Sequence, residues 1–184
     1  MRPERVLGGA VVLVLMGVSG CGKTTVAALL GTTLGWVFEE GDELHPQANI
    51  DKMAAGHPLT DEDRWPWLER VAGWVDARLD AGQNGLITCS ALKRSYRDVI
   101  NRRRSGIVFM YLSASRETIS ARLVSRHGHF MPSSLLDSQF AALEEPTPDE
   151  PAIRVDADPS PDVVAEEIIE ALGLVTLGRQ RREE

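Results

Sequence analysis

The stretch Gly17-Val18-Ser19-Gly20-Cys21-Gly22-Lys23-Thr24 fits G-x-x-x-x-G-K-[ST], and the segments on either side of it decide the fold. Val11 to Met16 precedes it, apolar, partly β-branched and too short for a helix, so it reads as a buried strand. Thr24 to Leu34 follows and reads as a helix. Strand, glycine-rich turn and helix in this order make a phosphate cradle. The glycines let backbone N–H groups approach phosphate oxygens, the helix N-terminus adds partial positive charge, Lys23 neutralises the β- and γ-phosphates, and the Thr24 hydroxyl can ligate Mg²⁺. The expected contacts to ATP therefore run through Gly17, Val18, Ser19, Gly20, Cys21, Gly22, Lys23, Thr24 and Thr25.

One other reading competes for the same letters. Arg2 and Arg5 precede an apolar stretch ending in Val18-Ser19-Gly20-Cys21, which has the outline of a bacterial lipoprotein signal and its acceptor cysteine. Glu4 in the basic region, the interruption at Gly8 and Gly9, and the place of Cys21 inside the phosphate pattern all count against it.

Outward from the loop, short apolar segments alternate with amphipathic ones. This pattern gives an α/β layered fold, a parallel sheet wrapped by crossover helices. Five strands are expected, at Val11–Met16, Trp36–Phe38, Leu86–Cys89, Ile107–Leu112 and Ala152–Val155. After the first helix, further helices are expected at Pro46–Ala55, from Thr60 to Gly82 with a Thr60/Asp63 capping pair, at Arg94–Arg104, Arg116–Arg126 and Ser134–Leu143, and at Asp162–Leu172 closed by Gly173. Trp65, Trp67 and Trp74 should pack the long helix. Glu144 to Pro151 is acidic and proline-rich and reads as an exposed connection. The domain should span residues 1–173, with 174–184 a flexible tail that has no apolar face to bury.

Composition narrows the class. At 184 residues the chain suits one domain, and a net charge of −7 argues against a general nucleic-acid or anionic-membrane binder. Lysine occupies only positions 23, 52 and 93, so the other cations are arginines, the better fork for phosphate and carboxylate. Two cysteines and four histidines give neither a disulfide framework nor a four-ligand zinc site, which points to a reducing cytoplasm. The apolar run Ala10–Met16 is far short of the ~20 residues needed to cross a bilayer.

What the nucleotide is used for must come from elsewhere in the chain. A GTP switch would carry a late Asn-Lys-x-Asp element, which is absent, and a large motor or AAA-type ATPase would need more chain. A small-molecule phosphotransferase fits the length. Asp42 follows the second strand in Phe38-Glu39-Glu40-Gly41-Asp42, so it should emerge at the carboxyl edge of the sheet, where ligands of open α/β folds bind. It is the leading acid for the acceptor hydroxyl. No strand is closed by a magnesium-directed aspartate, so Asp42 is expected to serve the metal through water as well, while Glu39 and Glu40 read as solvated and Asp61 and Asp63 as helix-start acids. Arg122 and Arg126 share one helix face ahead of His127-Gly128-His129-Phe130, a plausible closing segment. Arg94 and Arg97 open a helix near a strand end and could grip an anionic acceptor, whereas Arg102 to Arg104 read as surface charge. His127 and His129 lack a third ligand for a metal.

Four separated motifs in fixed order then stand out: MGVSGCGKTT, EGDELHPQANIDKMAAGHPLTDEDRWPWL, CSALKRSYRD and RHGHFMPSSLLDSQFAALEEP. Together, over about Val12 to Leu172, they resemble the gluconokinase family of small phosphate-loop kinases. The resemblance implies a three-layer, nucleoside-monophosphate-kinase-like fold with a lid at about residues 123–137. It also implies ATP and Mg²⁺ as cofactors, D-gluconate as acceptor, 6-phosphogluconate as product and a homodimer. By matching motif, Asp42 would orient or deprotonate the 6-hydroxyl. His45, Arg64, Ser90, Arg94, Arg97 and Gln139 would contact the acceptor, and Lys23, Arg122 and Arg126 would stabilise transferred charge. Cys21 stands where the family often has serine, and a thiol beside a cationic phosphate site is expected to be oxidation-sensitive. The other readings weighed are a shikimate kinase-like enzyme and a nucleotide-binding protein without catalysis.

Overall fold

The computed structural model describes residues 9–125 and 133–174. Five parallel strands, β1 (Val12–Met16), β2 (Val37–Glu39), β3 (Gly85–Thr88), β4 (Ile107–Ser113) and β5 (Ala152–Asp156), form one sheet in the order β2-β3-β1-β4-β5. Around them lie α1 (Lys23–Leu34), α2 (Gln47–Ala54), α3 (Asp61–Asp80), α4 (Arg94–Asn101), α5 (Arg116–Ser125), α6 (Ser133–Ala142) and α7 (Pro161–Leu172). The apolar segment that competed as a signal peptide is the central strand, fully buried and paired on both sides by β3 and β4.

The alternation of side chains along β1 divides the core into two layers. Leu13 and Leu15 pack with Val26, Leu30 and Ile168 of α1 and α7, whereas Val12, Val14 and Met16 pack with Leu68, Val71 and Val75 of α3 and Ile100 of α4. At roughly 1.5–3 kcal/mol per large apolar side chain removed from water, these layers are the main force holding helices on both faces of the sheet. Every strand and helix sits within one to three residues of its expected limits, with one omission and one shortening. A 3₁₀ turn over Gly41–Leu44, which the apolar periodicity does not signal, follows β2. Helix α4 stops at Asn101 rather than Arg104, because Arg102 and Arg103 adopt left-handed φ values of 45° and 57°.

Thr60 and Asp63 form the expected capping box at the start of α3, side chain to backbone in both directions. Pro66 is accommodated inside α3 near its start, and Trp67 behind it is buried. The expected lid spans 123–137, and its central part, residues 126–132 with Arg126, His127 and His129, lies outside the described residues, as does most of the expected tail, 175–184. Among the described residues no helix is long and apolar enough to cross a membrane.

Candidate active site

The site is built where β1 ends. Gly17 takes a φ of +138°, and a Cβ there would meet the Leu112 carbonyl oxygen at 2.8 Å, so only glycine lets the chain turn out of the sheet at this point. Its N–H donates to the Ser90 carbonyl (3.2 Å), which couples the loop to the end of β3. Gly22, also left-handed, opens α1 without any side-chain cap, so the first N–H groups of the helix face the loop free for an anion. The Lys23 ammonium donates to the Gly17 and Val18 carbonyls at 3.0 and 3.1 Å, curled over the cradle it would neutralise.

Cys21 does not behave as the sequence suggests. Its side chain is 1% exposed and its sulfur lies against the backbone of Gly17, inside the core layer beneath the loop. The thiol faces apolar packing rather than the phosphate side, so the expectation of oxidation sensitivity is withdrawn. Cys89 is likewise buried, and that burial pushes its thiol up to about 12.

On the acceptor side the decisive surprise is Glu40. Rather than being solvated, its carboxylate accepts from the Thr24 hydroxyl at 2.7 Å with one oxygen and from the Thr88 hydroxyl with the other. Thr88 also accepts from the Gly41 N–H (3.1 Å), so the end of β3 fixes the end of β2. Glu40, directly after β2, thus adjoins the Thr24 hydroxyl at the head of the phosphate loop. A hydroxyl and a carboxylate are hard oxygen donors, and Mg²⁺ takes one or two such groups and fills its remaining positions with water and phosphate oxygens, so the residues fit that ion. Among the described residues there is no group of three or more His, Cys, Asp or Glu able to hold a metal.

Asp42 sits in the 3₁₀ turn at the carboxyl edge, exposed, as its position after β2 suggests. The turn is tightly held. A Cβ on Gly41 would approach the Thr88 carbonyl to 1.9 Å, and the Gly41 carbonyl accepts from the buried Trp67 indole N–H at 2.7 Å. Trp67 therefore does more than pack α3, because the same ring stacks on His45 with centroids 4.1 Å apart. Burial holds the His45 ring below its ordinary pKa, with the Asp42 charge opposing and the Arg64 charge assisting.

Arg64 donates to the Leu59 carbonyl at 2.7 Å and lies near Asp61, whose carboxylate also takes the Lys93 ammonium at 2.8 Å and the Tyr96 hydroxyl. These two donors hold Asp61 below the usual carboxylate range. Asp61 is more than a helix-start acid, and Asp63 likewise pairs with Lys52 at 2.5 Å. Ser90 is half-buried beside the phosphate loop.

Three expected acceptor contacts are placed otherwise. Arg97 is 1% exposed, with its guanidinium spent on Glu150 (2.5 Å) and on the Ala91 and Leu92 carbonyls. It props up a strained turn, since Ala91 has a φ of +44°. Arg94 is exposed and paired to Asp149 at 2.6 Å. Gln139 of α6 reaches the phosphate loop instead, its side-chain carbonyl accepting from the Ser19 N–H at 2.7 Å. Sequence spacing placed these residues near the right strand ends but could not tell which way each side chain turns. Nor are Arg102 and Arg104 idle charges, since both tie the turn after α4 to Asp76 of α3.

Arg122, an expected nucleotide contact, lies beside the phosphate loop. Its guanidinium bonds the Cys21 carbonyl of the phosphate loop (3.2 Å) and the Asp158 and Pro159 carbonyls beyond β5 (3.3 and 2.9 Å). It thereby joins the cradle to the opposite wall of the crevice. Thr25 is exposed in the first turn of α1, and Gly20 packs against Ile119 and Leu123 of α5.

Residues 12–146 match the family profile described as "AAA domain", which here covers the phosphate-loop core. A gluconokinase of Gluconobacter oxydans is 54% identical over 157 residues, 85% of this chain and 88% of its own length. Among solved structures, a gluconokinase from Sinorhizobium meliloti superposes with a TM-score of 0.78 at 38% identity, covering 95% of this chain and 98% of its own. An unliganded sugar kinase from a Janibacter species does so with 0.83 at 47%, covering 90% and 96%. With the sheet order, the phosphate cradle and the Asp42 turn already in place, this degree of identity over nearly the whole fold means that the chain belongs to the gluconokinase family.

Proposed function

We propose that the protein transfers the γ-phosphoryl group of ATP to the 6-hydroxyl of D-gluconate, giving ADP and 6-phospho-D-gluconate. The observation that carries this reading is the facing of two half-sites across the carboxyl edge. A loop with free helix N–H groups and Lys23 stands on one side, and the exposed carboxylate of Asp42, in a rigid turn, stands on the other. In the transfer a bond forms between O6 and the γ-phosphorus, the bridging bond to the β-phosphate oxygen breaks, and the hydroxyl proton passes to the Asp42 carboxylate. Lys23 follows the charge that builds on the phosphoryl oxygens, and Arg122 holds the nucleotide end of the crevice. Mg²⁺, held by the Thr24 hydroxyl and through water by Glu40, would neutralise the phosphate charge when bound. Arg64, His45 and Ser90 border the acceptor side, and Arg126 is assigned to charge stabilisation by its motif alone.

The net charge of −7 supports small anionic substrates over polyanionic partners. A homodimer in the cytoplasm completes the proposal, on the strength of the family resemblance and of the two unpaired, buried cysteines. Incubation with ATP, Mg²⁺ and gluconate, followed by mass and phosphorus NMR analysis, should give gluconate carrying one phosphoryl group on O6. ATP hydrolysis without a phosphorylated sugar acid would refute the proposal, and preferential phosphorylation of shikimate would replace it with the shikimate kinase-like reading.

A further inference from the structure

Asn49, on α2, is a buried polar residue that the proposed chemistry does not use. Its side-chain nitrogen lies 2.8 Å from the Asp63 carbonyl and 3.2 Å from Nδ1 of His45, and Asn49 and His45 are only 5% and 8% exposed. A backbone carbonyl can only accept, so the end of the amide that faces it is the NH₂ group. That group has a second hydrogen, and the His45 nitrogen within its reach must then accept. With its lone pair on Nδ1, a neutral imidazole carries its single proton on Nε2.

The rest of the ring's surroundings fix its plane as well as its proton. Trp67 stacks on it at an interplanar angle of 17°, and Trp67 is itself tied through its indole N–H to the Gly41 carbonyl. The His45 backbone N–H donates to the Asp42 carbonyl (3.3 Å), so ring and acid belong to one turn. The charged groups around His45 are Asp42 on its own turn and Arg64 on α3, acting in opposite senses, with Arg70 of α3 bonded to the neighbouring Leu44 carbonyl.

We propose that Asn49 is a positioning residue that locks His45 as the neutral Nε2–H tautomer, so that the acceptor pocket beside Asp42 offers a fixed hydrogen-bond donor for a substrate hydroxyl. A neutral donor of this kind suits an alcohol oxygen of the acceptor. It does not attract the sugar acid's carboxylate, which is left to Arg64. The inference rests on the gluconate reading for the identity of the acceptor, but the state of the ring stands independently of it. Burial, which holds the ring below its ordinary pKa, favours the same neutral form.

The test is nitrogen NMR on protein with ¹⁵N-labelled histidine rings, the His45 signals being identified by their loss in His45→Gln. In the wild type Nδ1 should appear as the unprotonated and Nε2 as the protonated nitrogen near neutral pH. Asn49→Asp puts an acceptor where the donor was, so the proton should move to Nδ1. The gluconate KM should rise about five- to tenfold, the loss of one hydrogen bond, while the ATP KM stays within about twofold. Asn49→Ala should give a mixture of tautomers and an intermediate gluconate KM, which serves if the aspartate variant fails to fold. A wild-type His45 protonated on Nδ1 or on both nitrogens would overturn the inference. So would an unchanged tautomer in folded Asn49→Asp, or a parallel rise in both KM values. A wild type with the Nε2–H ring that ignores gluconate would remove the acceptor reading and leave the ring assignment standing.

Discussion

Glu40 and Asp42 are two residues apart yet face different tasks, and the glycine between them makes that possible. Glu40 is drawn inward by the Thr24 and Thr88 hydroxyls, while Asp42 is turned out to the carboxyl edge. Replacing Gly41 with alanine should force the Thr88 carbonyl away and cost about 1–3 kcal/mol, read from urea unfolding, with the acid turn displaced. Glu40→Gln keeps the shape but weakens an outer ligand of the metal, so the Mg²⁺ concentration for half-maximal rate should rise about 10–100-fold with the gluconate KM little changed. An unaltered Mg²⁺ dependence would put Glu40 outside the metal's surroundings. Phosphate-loop residues are legible in the sequence because backbone geometry dictates them. Glu40 is not, since a glutamate at a strand end looks the same whether it points to water or to a threonine hydroxyl.

At the scale of elements, the strands and helices declare themselves through apolar period and caps, and the acceptor side depends on two of them. Helix α3 begins with the Thr60/Asp63 box, and Asp63 also takes Lys52 of α2, which orients the segment carrying Asn49 against Asp63. Thr60→Ala should lower stability by about 0.5–2 kcal/mol in urea unfolding. The Lys52 ammonium, with the Thr60 N–H, holds Asp63 down to about 2, from an ordinary value of 3.8. Because the folded value is the lower one, this stabilisation is complete above about pH 4 and is lost as the pH falls toward 2. Between those limits the urea midpoint should fall more steeply for the wild type than for Asp63→Asn. The 3₁₀ turn and the early stop of α4 escaped the sequence because they come from local backbone choices, such as the left-handed Arg102 and Arg103, that no hydrophobic period records.

For the whole molecule, the two walls of the crevice are held by groups far apart in sequence. Arg122 joins the phosphate loop to the turn beyond β5, and the buried Arg97–Glu150 pair joins α4 to the connection before β5. Arg97→Met should cost about 3–5 kcal/mol by stranding the Glu150 carboxylate, and a second change of Glu150→Leu should recover most of it. If Arg97→Met instead kept full stability and raised only the gluconate KM, Arg97 would be an acceptor ligand after all. Motif spacing brought Arg94, Arg97 and Gln139 to the right edge of the sheet. Which of them face substrate is set by partners such as Asp149, Glu150 and Ser19, contacts spanning 53 residues or more that a linear reading does not contain.

All of these parts converge on one event, the passage of a phosphoryl group from the loop side to a hydroxyl beside Asp42. The most direct measurement is gluconate-dependent ADP release by the wild type and by Asp42→Asn, with ATP binding measured in parallel. The predicted result is robust turnover on gluconate by the wild type, and a loss of about 10²–10⁴-fold in kcat in the variant with ATP affinity retained. Wild-type turnover in Asp42→Asn would contradict the role given to that carboxylate, and no gluconate-dependent release by the wild type would contradict the account as a whole.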